Sequence, residues 1–136
     1  MDFMKSIQVA VSGLKAQSGR MRIISENIAN ADSAPSNAQA DPYRRKVVRF
    51  ERRFDNDLQA ETVRLGKVAR DQGAFGSKLD PGHPAADRNG YVKMPNVNGT
   101  IESMDLREAQ RSYEANLNVV TTSRRMMQRT LELLRS

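Results

Sequence analysis

The chain has 136 residues, enough for one ordinary domain or for a small domain with extensions. Only 38% of it is hydrophobic and it holds no Trp, which excludes a large core, while 28% charged residues suit a protein with much solvated or helical surface. The net charge of +6 favours acidic partners without the charge density of a nucleic-acid domain, and the absence of Cys excludes disulfides and thiolate metal sites.

Phe3, Ile7, Ala10, Leu14, Gln17, Met21, Ile24, Ile28 and Ala31 recur at alternating spacings of four and three. This is a heptad seam with one polar member, and it predicts a helix over residues 1–31. Gln8, Ser12 and Gly13 interrupt the apolar run and Asp2 spoils a basic leader, so the segment reads as helix and not as a cleaved signal peptide. No apolar run approaches the roughly 20 residues needed to span a membrane. The helix ends in "SENIANADS", residues 25–33. Asn side chains compete for backbone groups and are mediocre in helices. Ile28 belongs to the seam, Asn27 to its flank and Asn30 to another side. Asn30 with Asp32 can end the helix in a left-handed cap. Asn27 lies a turn too early for that, and its amide is expected to meet the backbone of another subunit.

Residues 32–42 contain "SAPSNAQADP" and read as a flexible linker. Residues 43–98 are expected to form a small β-rich middle domain. Short strands are predicted at 43–50, 61–69 and 90–94, with "DPGHP" (80–84) as a tight turn and Phe50, Phe75 and Tyr91 as a small core. The densest charge lies in "YRRKVVRFERRF". Arg44, Arg45, Lys46 and Arg49 stand there among aromatics, a composition that can bind single-stranded nucleic acid. Glu51, Asp55 and Asp57 follow closely, so a salt-bridged strand surface or an acidic neighbouring subunit is the simpler reading.

Residues 99–136 repeat the heptad. Leu106, Tyr113, Val120, Met127 and Leu134 fall every seven residues, with the small or polar Ala109, Asn116, Ser123 and Thr130 between them. Val119, Met126 and Leu133 widen the stripe on one flank, Leu117 and Leu131 on the other. Thr100 is the expected N-cap, with Glu102 and Asp105 complementing the helix dipole and arginines gathered near the far end. The fold class is therefore mainly α. Two terminal helices pair as an antiparallel coiled coil, with the β-containing middle inserted between them. Stripes on more than one side of a helix call for further neighbours. The termini are accordingly expected to fold on assembly.

Catalysis finds no support. The single His83 sits in a turn without two further strong metal ligands, and no glycine-rich phosphate loop or serine–histidine pattern is present. No catalytic, metal or cofactor-binding residue is assigned.

"SENIANADS" followed by "PYRRKVVRF", then "DPGHP", "GYVKMPNVN", "AQRSYEAN" and "MMQRTLELL", resembles the bacterial flagellar rod and hook family. The likeness keeps its order along almost the whole chain. "GYVKMPNVN" and the short length narrow it to the proximal rod type. Arg107, after "MDL", departs from the apolar residue expected there. The resemblance implies a non-enzymatic axial subunit, stacked helically into the drive shaft that crosses the periplasm and carries torque to hook and filament. It also implies that paired terminal helices line the hollow core, and that the chain leaves through the flagellar type III export apparatus without a cleaved signal. Implied partners are copies of the chain, other rod proteins and the inner junction protein at the rod base, with the surrounding rings as further candidates. No nucleic acid and no membrane span are implied. Asn27, Ile28 and Asn30 carry over from the N-terminal motif, and Arg111, Tyr113, Glu114 and Asn116 from the C-terminal one. Ile7, Leu14, Met21, Ile24, Ile28, Leu106, Tyr113, Val120, Met127 and Leu134 are the expected seam of the assembling helices.

Overall fold

A computed structural model describes residues 2–136. Helix α1 runs Phe3–Ala29 and α2 runs Gly99–Arg135. Between them lie β1 (Lys46–Val47), β2 (Phe50–Asp55), β3 (Ala60–Leu65), β4 (Ala69–Arg70), β5 (Gly76–Leu79) and β6 (Tyr91–Met94). They form three separate two-stranded antiparallel sheets, β1–β4, β2–β3 and β5–β6. The chain divides into two compact units. One holds the residues up to Met21, Arg49–Lys67 and Arg107–Ser136, and the other holds Arg22–Val48 and Val68–Leu106. Segment 43–98 therefore contributes to both units, where the punctuation of the sequence suggests one middle domain.

In the first unit, hairpin β2–β3 pairs Phe50 with Leu65 through Asp55 with Ala60. The Asp55 carboxylate closes its turn by accepting from the Asp57 and Leu58 amides at 3.0 and 3.2 Å. The hairpin packs on α1 where α1 is small. Leu65 fills the space over Gly19, and the Val63 amide donates to Ser12 Oγ at 3.2 Å. On another side α1 meets α2. A Cβ on Gly13 would stand 2.9 Å from Asn116 Nδ2, and Arg20 pairs with Glu108 at 3.8 Å. The facing residue numbers sum to 129 and 128, so the two helices run antiparallel here. On that register Phe3 faces residue 126, and α2 continues past the start of α1. Leu133 and Leu134 in this overhang are 77% and 78% exposed.

The seam residues behave unevenly. In this unit Ile7, Leu14, Met21, Tyr113, Val120 and Met127 are half-buried. Full burial falls to small residues, Ala10 and Ala16 on α1 and Ala109 and Ser123 on α2. Leu117, Val119, Met126, Leu131 and Leu133 are all exposed, as is Leu134, which the heptad places on the seam but which has no α1 residue opposite.

In the second unit Ile23, Ile24, Ala85 and Val92 are buried, while Ile28 and Leu106 are half-buried. The "DPGHP" turn holds itself together: His83 N donates to the Asp80 carbonyl at 3.1 Å, and the Ala85 amide donates to His83 Nδ1 at 2.9 Å. Gly90 adopts φ +83 against Pro81, a backbone that requires glycine. Three expectations change. The N-cap of α2 is Asn98, not Thr100, because Asn98 Oδ1 accepts from the Thr100 and Ile101 amides at 3.0 and 3.3 Å. Phe50 and Tyr91 are exposed, and Phe75 packs beneath the Arg44 guanidinium at 4.2 Å, so the aromatics form no common core. Neither Asn30 nor Asp32 takes the left-handed conformation. Asn30 Nδ2 instead donates to the Glu26 carbonyl at 2.8 Å, which also accepts from the Asn30 amide, so the side chain folds back on the last turn of α1.

The Gly13–Asn116 approach sets two effects against each other. Gly13→Ala gains about 1 kcal/mol of helix propensity, while overpacking against Asn116 costs about 1–3 kcal/mol. The prediction is that Gly13→Ala is neutral to destabilising alone and stabilising by about 1 kcal/mol in an Asn116→Ala background. A double-mutant cycle by urea unfolding reads this coupling, and additive effects would refute it.

Candidate functional site

The second unit contains a fully paired polar cluster built from the end of α1, the segment 43–48 and the start of α2. Pro42, which leads into this segment, is buried. Asn27 and Glu102 are each only 1% exposed. Asn27 uses its amide as a strand would. Its Oδ1 accepts from Lys46 N at 2.9 Å while its Nδ2 donates to Lys46 O at 2.8 Å. β1 is thus held by β4 on one edge and by a single side chain on the other. The remaining capacity of the amide is also filled. Oδ1 accepts from Tyr43 Oη at 2.7 Å, and Nδ2 donates to Glu102 Oε2 at 3.4 Å. Burial pushes the Tyr43 hydroxyl above its ordinary value, which keeps it a donor.

The other oxygen of Glu102 accepts from Arg45 Nε. Arg45 reaches Asp71 at 3.6 Å and Asp105 at 3.7 Å as well. Its hydrogen bond to Glu102 raises its pKa further, so the guanidinium is held in its charged form. The Arg45 amide donates to Asn96 Oδ1 at 2.8 Å, and Asn96 Nδ2 donates on to the Asp71 carbonyl at 3.0 Å. Around this centre Arg44 stacks on Phe75 and donates to the Asp71 carbonyl at 3.0 Å. Lys46 Nζ pairs with Glu26 at 2.7 Å.

Each predicted residue now has a place. Asn27 does not face outward: all four of its hydrogen-bonding positions are taken inside the chain, which corrects the expectation that it meets another subunit's backbone. Asn30 serves the end of α1. Of the expected basic strand surface only Lys46 lies in a strand; Arg44, Arg45 and Lys46 are committed to internal partners and offer little to a polyanion, and Arg49 remains exposed. Arg111 and Glu114 are both exposed, and among the described residues no ion pair joins them. Asn116 donates back to the Ser112 carbonyl at 3.1 Å and fills the notch over Gly13. No cluster of three metal-ligating side chains occurs among the described residues, and no described helix is long and apolar enough to cross a membrane.

Glu102 enters the sequence reading only as a first-turn acid of the second helix, and the roles of Tyr43, Asn96 and Asp71 escape it. For Glu102 a signal exists: residues 102, 109, 116 and 123 are spaced by seven, so the α2 seam extends one heptad before Ala109 and places a carboxylate on the buried stripe. No comparable pattern announces Asn96.

Removing Arg45 leaves a buried carboxylate without its cation, which costs about 3–5 kcal/mol. Asn27→Ala strands the Lys46 amide and carbonyl, at about 1–3 kcal/mol for a buried group left unsatisfied. Arg45→Ala is therefore expected to destabilise the isolated subunit at least as much as Asn27→Ala, read by urea unfolding. A variant as stable as the parent would remove the cluster from this role. The pH arm concerns Glu26, whose hydrogen bond from Lys46 holds its carboxyl below the ordinary glutamate value. A depressed folded pKa gives stabilisation that is present above the unfolded value and lost as pH falls through the folded one. In Lys46→Gln the Glu26 titration, followed by carboxyl NMR, is expected to move up, and an unmoved midpoint would deny the pairing.

The matched families cover both ends of the chain. Residues 7–35, which include Asn27, match the family described as flagella basal body rod protein, and residues 88–133, which include Glu102, match the flagellar basal body rod FlgEFG protein C-terminal family. The flagellar basal-body rod protein FlgC of Agrobacterium fabrum is 51% identical over 95% of this chain and 93% of its own length. The FlgC of Salmonella typhimurium is 38% identical over 98% of each chain, and that of Bacillus subtilis 34% identical over 94% of this chain and 95% of its own. Likeness of this degree along nearly the full length of both partners places the chain in the FlgC family of flagellar basal-body rod proteins, which are structural subunits and not enzymes.

Proposed function

We propose that this subunit stacks helically into the proximal rod and transmits motor torque towards hook and filament. The observation that carries the reading is the heptad of α2, which continues through Met127, Thr130 and Leu134 after α1 has ended and leaves a broad apolar arc uncovered. A stripe of this width is satisfied only by neighbouring helices. The helices pair as an antiparallel coiled coil and pack around the export channel, with their order completed on assembly. Neighbours are other copies, other rod proteins and the inner junction protein at the rod base. The chain reaches this place in the basal body through the type III export apparatus, without a cleaved signal, and stands in the periplasm. The paired polar cluster of the second unit fits a subunit that carries load, because it holds the end of α1 and the start of α2 to one short segment.

The alternative is a polyanion-binding module acting through residues 43–53. The internal commitments of Arg44, Arg45 and Lys46 speak against it. The deciding experiment is deletion of the gene with electron microscopy of isolated basal bodies. The expected outcome is assembly that stops before a complete rod, restored by the intact gene. A motile deletion strain with full rods would sink the proposal.

A further inference from the structure

The overhang of α2 combines its apolar arc with charge of one sign. Between Arg124 and Arg135 lie four arginines and one glutamate, Glu132. Among the described residues none of Arg124, Arg125, Arg129 and Arg135 makes an ion pair, and all four are exposed. At 100° per residue, Met126, Met127, Thr130, Leu131, Leu133 and Leu134 share one arc, and Arg124, Arg135 and Arg129 border it on its two sides. This is the arrangement of a coiled-coil seam flanked by basic residues, whose natural counterpart is an apolar seam flanked by carboxylates. The seam is also continuous with the one that meets α1 in the same unit.

The chain itself supplies no such counterpart. Its α1 carries Lys5, Lys15, Arg20 and Arg22 against a single Glu26, so a second copy's α1 laid on the overhang would oppose like charges. On α2, Glu102 and Asp105 pair with Arg45 and Glu108 with Arg20, which leaves Glu114 and Glu132, outnumbered by the six arginines of the same helix. Opposed like charges are destabilising and select against the wrong partner.

Building on the rod-subunit reading, we infer that the apolar arc of residues 126–134, bordered by Arg124, Arg129 and Arg135, docks an acidic amphipathic helix of a different protein chain and not a second copy of this one. The apolar arc supplies the burial, and the arginines select the sign of the partner's flanks and the speed of encounter.

The probe is a synthetic amphipathic helix with Leu at the seam and Glu at the flanking positions, titrated by fluorescence anisotropy against the full chain. Expected is saturable binding that weakens severalfold as salt rises from low to high. A charge-reversed chain, Arg124→Glu with Arg129→Glu, is expected to lose at least tenfold in affinity, and Leu131→Asp with Leu134→Asp to abolish binding. Both pairs of positions are solvent-exposed, and circular dichroism checks that helicity is kept. Equal binding of the same peptide with Lys in place of Glu overturns the inference. So does tighter binding to phosphatidylglycerol vesicles than to the acidic peptide, or self-association in sedimentation that the Leu131→Asp, Leu134→Asp chain loses. In cells the two readings separate. A charge-reversed chain that supports full motility while the Leu131→Asp, Leu134→Asp chain does not would refute the acidic partner and keep the rod subunit. Full motility of both would overturn docking by this segment in the rod as well.

Discussion

The second unit depends on one constraint: a carboxylate taken out of water must be fully paired. Glu102 is almost wholly buried, and an ion in that position carries a desolvation penalty of several kcal/mol. Arg45 answers one of its oxygens and Asn27 the other. Asn27 is able to do so because its three other hydrogen bonds fix the plane of its amide. The requirement to satisfy one acid thus brings together α1, α2 and segment 43–48, which are distant in sequence. Buried networks of this kind are strong when complete and costly when any member is missing. Their contribution is better understood as specificity than as net stability, since only one arrangement of these elements leaves no polar group stranded.

The first unit works under the opposite rule. Its helix contact is made by small and polar residues, with Gly13 under Asn116 and with Ala109 and Ser123 buried nearby. Close approach costs little there, but little apolar area is removed from water. Of the large residues of α2 in this unit, Tyr113, Val120 and Met127 are only half-buried on the seam, and Leu117, Val119, Met126, Leu131, Leu133 and Leu134 lie exposed on its flanks or beyond its end. Helices that touch through such a thin seam are held in register by shape, while much of the hydrophobic surface of α2 faces outward.

Much of this was legible in the sequence because heptad spacing reports which residues share a face. The extents of both helices, the partial burial of Leu14, Tyr113 and Val120 and the exposure of the Val119, Met126 and Leu133 flank follow from it directly. Periodicity has no term for where a helix runs out of partner, so Leu134 is a seam residue by spacing and an exposed one in the structure. Nor does it say what a polar residue on a flank will meet. Asn27 reads as outward-facing for that reason, although a strand edge from the inserted segment comes to it. The basic run at 44–46 misleads in the same way: its charge is visible in the sequence, but its partners at 26, 71, 102 and 105 are scattered.

The unequal helices bear on how such a subunit behaves before it is built in. α1 has 27 residues and α2 has 37, and the excess carries Leu131, Leu133 and Leu134 into solvent. Each would contribute about 1.5–3 kcal/mol on full burial, so the three together supply about 5–9 kcal/mol before ordering costs. The entire stability of a domain is typically about 5–15 kcal/mol. The free energy withheld at this end is therefore comparable to that holding an ordinary domain together. On the proposed rod-subunit reading, that free energy is released when neighbours cover the overhang, the part of α2 with no α1 residue opposite it.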